Sequence, residues 1–123
     1  MLSHLSLGVT DLARSAAFYD AVLAPLGQVR VWQNERGVGY GPPGSNDRLA
    51  LFHRPDTHAA GDGFHLALFA PDEPAVHAFH AAALAHGGTD EGAPGPRPRY
   101  GPSYYAAFVR DPDGHKLEVK VGD

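Results

Sequence analysis

Three side chains far apart in the sequence have the right types to hold a metal ion: His4, His65 and Glu118. His4 opens an alternating stretch to Val9, with Leu5, Leu7 and Val9 on one face and His4, Ser6 and Gly8 on the other. His65 opens a second such stretch, in which Leu66 and Leu68 form the apolar face. Glu118 lies in the last strand-like stretch, His115 to Val121, where Leu117, Val119 and Val121 oppose Lys116, Glu118 and Lys120. If the apolar faces lie against helices, both histidines and the glutamate share the opposite face. Two imidazoles and one carboxylate on a concave face match the 2-His-1-carboxylate set, which binds divalent ions and leaves positions open for substrate. A plainer account treats His4 as a terminal surface residue, His65 as a satisfied strand histidine and Glu118 as one rung of a Lys116/Lys120 charge ladder.

The elements that must position these residues come from an internal repeat. Displaced by 61 positions, the chain's opening lies on its middle. His4 meets His65, Leu5 and Leu7 meet Leu66 and Leu68, and Asp11 meets Asp72. Phe18 meets Phe79, Leu23 meets Leu84 and Gly27 meets Gly88. A repeat of this kind sets the architecture before anything else does. Each copy reads as a strand, a capping Asp and an amphipathic helix. In the first, Leu12, Ala16, Tyr19 and Leu23 form the helical stripe, and Pro25 stops it near Gly27. Strands are expected at 28–33, Gly37–Gly41 and Arg48–Arg54, with a turn cluster at 41–47. Pro55 to Asp62 reads as the linker. In the second copy, Phe64–Ala70 is the strand, and Pro74 sits in the first helical turn, where its missing N–H costs little. Val76, Phe79, Ala82 and Ala83 form the stripe of a helix ending at Gly87-Gly88. Thr89–Ala93 reads as a short strand, 94–102 as a Pro/Gly-rich loop, and Tyr104–Arg110 and His115–Val121 as strands. Asp111-Pro112-Asp113-Gly114 fits a type I turn between the last two. The chain is therefore expected to be α+β, one domain of two βαβββ modules at about 1–60 and 61–123, related by a pseudo-twofold axis.

Composition narrows the functional classes. A formal charge of −4 and a pI near 6.0 speak against nucleic-acid or anionic-membrane partners. There is no cysteine, hence no disulfide framework and no thiolate ligand. No apolar run approaches membrane-spanning length, and the opening Met1-Leu2-Ser3-His4 lacks a basic leader, so a cytoplasmic location is the expectation. His77, His80 and His86 fall on the second helix and are expected at its surface. Gly37-Val38-Gly39-Tyr40-Gly41 is no nucleotide loop, since no helix or Lys-Ser/Thr follows it.

Three stretches also carry a family resemblance: His4 with Val9-Thr10-Asp11-Leu12-Ala13-Arg14-Ser15 and Phe18-Tyr19; Phe64-His65-Leu66-Ala67-Leu68; and Ala107 through Asp111-Pro112-Asp113-Gly114 to Glu118. With these the chain resembles the vicinal oxygen chelate superfamily, the glyoxalase I, bleomycin-resistance and extradiol dioxygenase group. The resemblance implies paired βαβββ modules whose mixed sheets curl around an open cleft, often completed by a second subunit, and hence a homodimer. It places metal ligands on the first and last strand of each module, and His4, His65 and Glu118 fall on three of these four positions. The fourth lies on Arg48–Arg54, where Ala50 and Phe52 face the cleft and cannot ligate; His53 takes the other face unless a bulge intervenes. The implied function is a metal-dependent lyase, transferase or dioxygenase that chelates adjacent oxygens of a small substrate on a Zn, Mn, Fe or Ni ion. Glu118 or a tyrosine, Tyr104 or Tyr105, would move a proton, and one of these adjacent tyrosines must face the cleft. Trp32, Phe52, Phe69, Arg97 and Tyr100 are the expected substrate contacts, with Arg99 in the same loop. The alternative is a metal-free module that sequesters an aromatic or drug-like ligand in a cleft with aromatic walls.

Overall fold

A computed structural model describes residues 1–122. The order is β1 (Leu5–Val9), α1 (Leu12–Leu23), β2 (Val29–Gln33), β3 (Gly37–Gly41) and β4 (Leu49–His53), followed by β5 (Leu66–Ala70), α2 (Glu73–Ala85), β6 (Thr89–Pro96), β7 (Tyr105–Arg110) and β8 (Lys116–Val121). The two expected capping residues do cap. The Asp11 carboxylate accepts the Arg14 N–H at 3.0 Å, and that of Asp72 accepts the Ala75 N–H at 2.9 Å. Helix α1 runs into a 3-10 turn at Ala24–Leu26, and Gly27 closes it at φ 77°, a left-handed conformation suited to glycine.

The strands form two four-stranded sheets, ordered β1-β4-β3-β2 and β5-β8-β7-β6. The pairs β1/β4 and β5/β8 are parallel, and the remaining pairs antiparallel. This is the α+β arrangement of paired βαβββ modules. Strand β6 is longer than the short strand expected at Thr89–Ala93, continuing to Pro96. Irregular register between Asp90, Gly92 and Gly95 lets the edge strand carry Pro94 and Pro96, and it erases the alternation by which a strand is read from sequence.

Both modules share one core. Val9, Phe18, Tyr19, Val22, Leu51, Val76, Phe79, Ala83, Val109, Leu117 and Val119 are all buried in it. Helix α1 packs against α2, and Gly88 lies so close to the Phe18 ring that an added Cβ would stand 2.8 Å from it. The Asp113 carboxylate fastens the modules together. It accepts the Thr10 hydroxyl at 2.6 Å, the Arg14 guanidinium at 3.1 Å and the Ser15 hydroxyl at 3.3 Å. Buried His115 places Nε2 2.9 Å from the Gly8 carbonyl, on the edge of β1 that no strand pairs. The end of β1 therefore lies beside the start of β8, which runs parallel to β5. The start of β1 lies across an apolar groove of about 410 Å³ from Leu66–Phe69. Strands β1 and β5, each with a free edge, thus flank this groove in opposite directions. Among the described residues no helix is long and apolar enough to cross a membrane.

Candidate active site

On each sheet one face lies on the helices and the other carries the candidate residues. In the second module the constellation centres on Glu118. Its side chain is only 4% exposed although it stands on the face away from α2. The Tyr104 hydroxyl donates to Oε2 at 2.5 Å, and His65 Nε2 lies 3.0 Å from Oε1. Both carboxylate oxygens are therefore engaged, as burial of a charged group demands. Lys120 Nζ lies 4.7 Å from the centre of the Tyr104 ring and 5.1 Å from that of Phe69. Phe108 is bordered by Lys116 at 5.7 Å, by the Arg97 guanidinium at 5.6 Å and by the His65 ring at 6.1 Å.

The two adjacent tyrosines separate as strand geometry requires. Tyr104 faces Glu118, whereas the Tyr105 hydroxyl lies 2.7 Å from His77 Nε2 on α2, the helix side. Tyr100 is exposed; its ring centre lies 5.3 Å from that of Tyr104 at a tilt of 58°, and the Arg99 guanidinium lies 4.8 Å from its centre. Arg97 donates to the carbonyls of Ala93 at 2.7 Å and Gly95 at 2.9 Å, so its guanidinium also holds the irregular end of β6 in shape. His80 contacts Asp90 at 2.8 Å, so it is tied to the start of β6, while His77 and His86 are exposed as expected.

The first module presents a different face. The register runs without a shift through β1/β4 and β3/β4, pairing Ala50 with Ser6 and Gly39, and Phe52 with Gly8 and Gly37. Ala50 and Phe52 stand on the open face, as the parity of the strand implies, and His53 keeps the parity of Val9. Trp32 covers Gly37 and Gly39, and its ring centre is 5.7 Å from that of Phe52. Behind this sheet, Tyr40 donates to Asp20 at 2.8 Å beneath an Arg30–Asp20 pair. Burial works to raise the Asp20 carboxyl, and the Arg30 and Tyr40 hydrogen bonds outweigh it and hold it below its usual range.

His4 stands apart from the other two candidate ligands. It is exposed at the start of β1, lines the groove with Phe69, and contacts Ser3 at 3.0 Å through Nδ1. His65 precedes β5, whose start lies toward the other end of β1, and a five-residue strand spans roughly 17 Å. A metal ligand reaches only about 2.3 Å. Among the described residues no three His, Asp or Glu side chains gather to hold an ion. Their chemistry suits a divalent metal, but one chain brings together only His65 and Glu118, and the expected meeting with His4 does not occur within it.

The sequence reading did not find the part played by Asp111 and Asp113. Asp111 accepts the Tyr19 hydroxyl at 2.7 Å and the N–H groups of Asp113 and His115 at 2.9 Å. Burial pushes its carboxyl above the usual range, against the lowering effect of those bonds. These residues were legible as a turn; their reach into the first module was not. The glycine floor under Trp32 did leave a signal, since glycine at 37, 39 and 41 in a strand marks a face stripped of side chains.

Known proteins resemble this chain in sequence and in fold. The sequence model of the Glyoxalase/Bleomycin resistance protein/Dioxygenase superfamily matches residues 1–119. A protein of Synechocystis sp. named "Probable lactoylglutathione lyase" is 32% identical, over 96% of this chain and 92% of that one. A crystal structure of a glyoxalase/bleomycin resistance protein from Albidiferax ferrireducens T118 superposes with a TM-score of 0.82 at 36% identity, covering 100% and 99% of the two chains. The fosfomycin resistance protein FosX of Listeria monocytogenes shares the fold, with a TM-score of 0.72 at 18% identity over 100% and 93%.

Proposed function

The chain belongs to the Glyoxalase/Bleomycin resistance protein/Dioxygenase superfamily, and on that premise we propose that it is a metal-dependent lyase whose site is shared between two copies. The observation that carries this reading is Glu118, a carboxylate kept on an open sheet face at 4% exposure with His65 and Tyr104 on its two oxygens. His65 and Glu118 of one copy would hold a divalent ion together with His4 of a second. The free edges of β1 and β5, the apolar groove between them, and exposed Leu2 and Phe69 at 72% and 64% support association into a homodimer.

When bound, such an ion supplies Lewis acidity toward two neighbouring oxygens of a small substrate. The protein's own residues supply the rest. The Tyr104 hydroxyl donates to Glu118 and holds the carboxylate in place, so a proton taken from carbon beside a carbonyl would be received by Glu118 and returned from it. Lys120 lies over the Tyr104 ring and packs it in place beside Glu118. Lactoylglutathione, named for the Synechocystis relative, offers the required pair of oxygens on adjacent carbons and is the first substrate to test.

A second reading, a metal-free binding module for aromatic ligands, is favoured by the apolar Ala50 and Phe52 on the last strand of the first module. Metal content separates the two. Protein purified without added ions, then titrated with zinc, manganese, iron and nickel, should take up one ion per chain, and Glu118→Gln should abolish uptake. Lactoylglutathione turnover should vanish in the same variant. Equal uptake by wild type and variant would reject Glu118 as a ligand and leave the binding module.

A further inference from the structure

A small polar pocket of about 140 Å³ lies where β8 begins, lined by the turn at 60–64, by His65, and by Arg110 and Lys116. The two cations are partners across the β7/β8 pair. Neither the core nor the bonds around Glu118 use them. Arg110 donates from Nε to Glu91 at 3.0 Å and from Nη1 to the Gly114 carbonyl at 2.8 Å. Those two bonds fix the guanidinium plane and leave Nη2 without a partner among the described residues. Lys116 lies over the Phe108 ring and has no carboxylate partner among the described residues. Across from them the turn brings in one acid, Asp62. The Phe64 N–H donates to the Gly61 carbonyl at 3.3 Å, and Gly63 takes φ 94°, a left-handed conformation suited to glycine. Asp62 is exposed on this turn and pairs with neither cation. One small pocket thus carries both signs of charge, and its walls do not neutralise each other.

We propose that this pocket binds the head of an α-amino acid, with its carboxylate on Lys116 and Arg110 and its ammonium on Asp62. The sign pattern makes the selection. A plain anion is drawn by the two cations and repelled by Asp62; a plain amine meets the reverse. A ligand with both charges on one carbon satisfies every wall, and each contact is a charge-assisted hydrogen bond. The volume far exceeds what one water needs and holds an ammonium, an α-carbon and a carboxylate. Two sources carry such a head: a free amino acid, and one end of a longer substrate such as a glutathione thioester. The proposal uses no part of the metal reading, although His65 is a wall of the pocket and also a partner of Glu118.

The probes are L-alanine, propionate, which lacks the ammonium, and ethylamine, which lacks the carboxylate. Each is titrated into the metal-free, ¹⁵N-labelled full chain, and the amide signals of Gly61 to His65 are followed. L-alanine should bind roughly tenfold or more tighter than either counterpart, the weight of one hydrogen bond to a charged group. Asp62→Asn, in an exposed turn, should erase the advantage over propionate and keep that over ethylamine. Lys116→Gln should shrink the advantage over ethylamine and keep that over propionate. S-methylglutathione, with the same head on a longer chain, distinguishes the sources. Shifts that extend from the pocket to Tyr104 assign the head to a substrate; shifts confined to Gly61–His65 assign it to a free amino acid. Equal binding of L-alanine and propionate to wild type, or an advantage over propionate that survives in Asp62→Asn, overturns the pocket. Metal uptake by wild type and Glu118→Gln is read separately, so failure of the pocket leaves the lyase reading standing, and failure of that reading leaves the pocket.

Discussion

The two modules are built to one plan and finished with opposite chemistry, and the strand registers show where they part. His4 and His65 occupy the same place, and two residues on, Ser6 pairs with Ala50 whereas Ala67 pairs with Glu118. The neighbours across the next strand are Gly39 in one module and Phe108 in the other. Phe52 answers to Lys120, and the overlying ring of Trp32 answers to the guanidinium of Arg97. One face is thus glycine, alanine and indole, and the other a buried carboxylate among tyrosine, histidine and cations. The helix-facing positions, by contrast, stay apolar in both: Leu51 answers to Val119 and Val38 to Ala107, all buried. Selection for a core restricts one side of each sheet, while the other side is free to differ between the modules. Fold and function are separable for that reason.

The largest effect expected from disturbing this division is at Glu118. Glu118→Gln keeps the shape and the Tyr104 contact but removes the charge, and metal affinity should fall by about 100-fold or more, beyond the roughly 10- to 100-fold typical for losing even an outer partner of a ligand. Competition against a chromogenic chelator reads this directly. Next is the reverse transplant, Ala50→Glu. Ala50 is 1% exposed, so an unpartnered carboxylate there should cost about 3 kcal/mol in urea unfolding. If the faces of two copies meet, added divalent ion should recover part of that loss.

A smaller effect separates the faces from the joint between modules. Asp113→Asn removes a charged acceptor of the Thr10, Ser15 and Arg14 bonds and should destabilise the fold by about 2 kcal/mol. Metal affinity at the Glu118 face should stay unchanged; a parallel fall would mean that the joint, not the face, sets the site. The smallest is a pH effect at Asp111. Burial raises this carboxyl in the fold, so the neutral form is favoured there and ionisation is penalised. The penalty is absent below the unfolded value of about 3.9 and sets in as pH rises through the raised folded value. Measured against Asp111→Asn, the wild type should therefore lose relative stability as pH climbs from about 4.

Much of this was legible because the repeat supplies what one strand alone cannot. Alternation assigned Leu49 and Leu51 to the core and Ala50 and Phe52 to the open face, and the unshifted registers keep them there. Tyr104 and Tyr105 could not be told apart from sequence, because adjacent residues always take opposite faces and only the pairing says which is which. The orientation of Trp32 was hidden by a bulge, and the length of β6 by two irregularities, since such shifts break the period that reveals a strand. The contacts of Asp113 with Thr10 span most of the chain, and nothing in a turn motif announces a partner so distant. The separation of His4 from His65 follows from how the modules pack, which side-chain parity does not encode.

Mixed-copy complementation tests the shared site most directly. His4→Ala and Glu118→Gln each remove one donor from every site, and neither protein alone should take up metal tightly. Refolded together, a mixed dimer places the intact His4 of one copy beside the intact Glu118 of the other, so one complete site forms while its counterpart lacks both donors. Recovery of high-affinity uptake, at half the wild-type capacity per mixed dimer, is the expected result. No recovery above the two separate variants would contradict a site shared between copies.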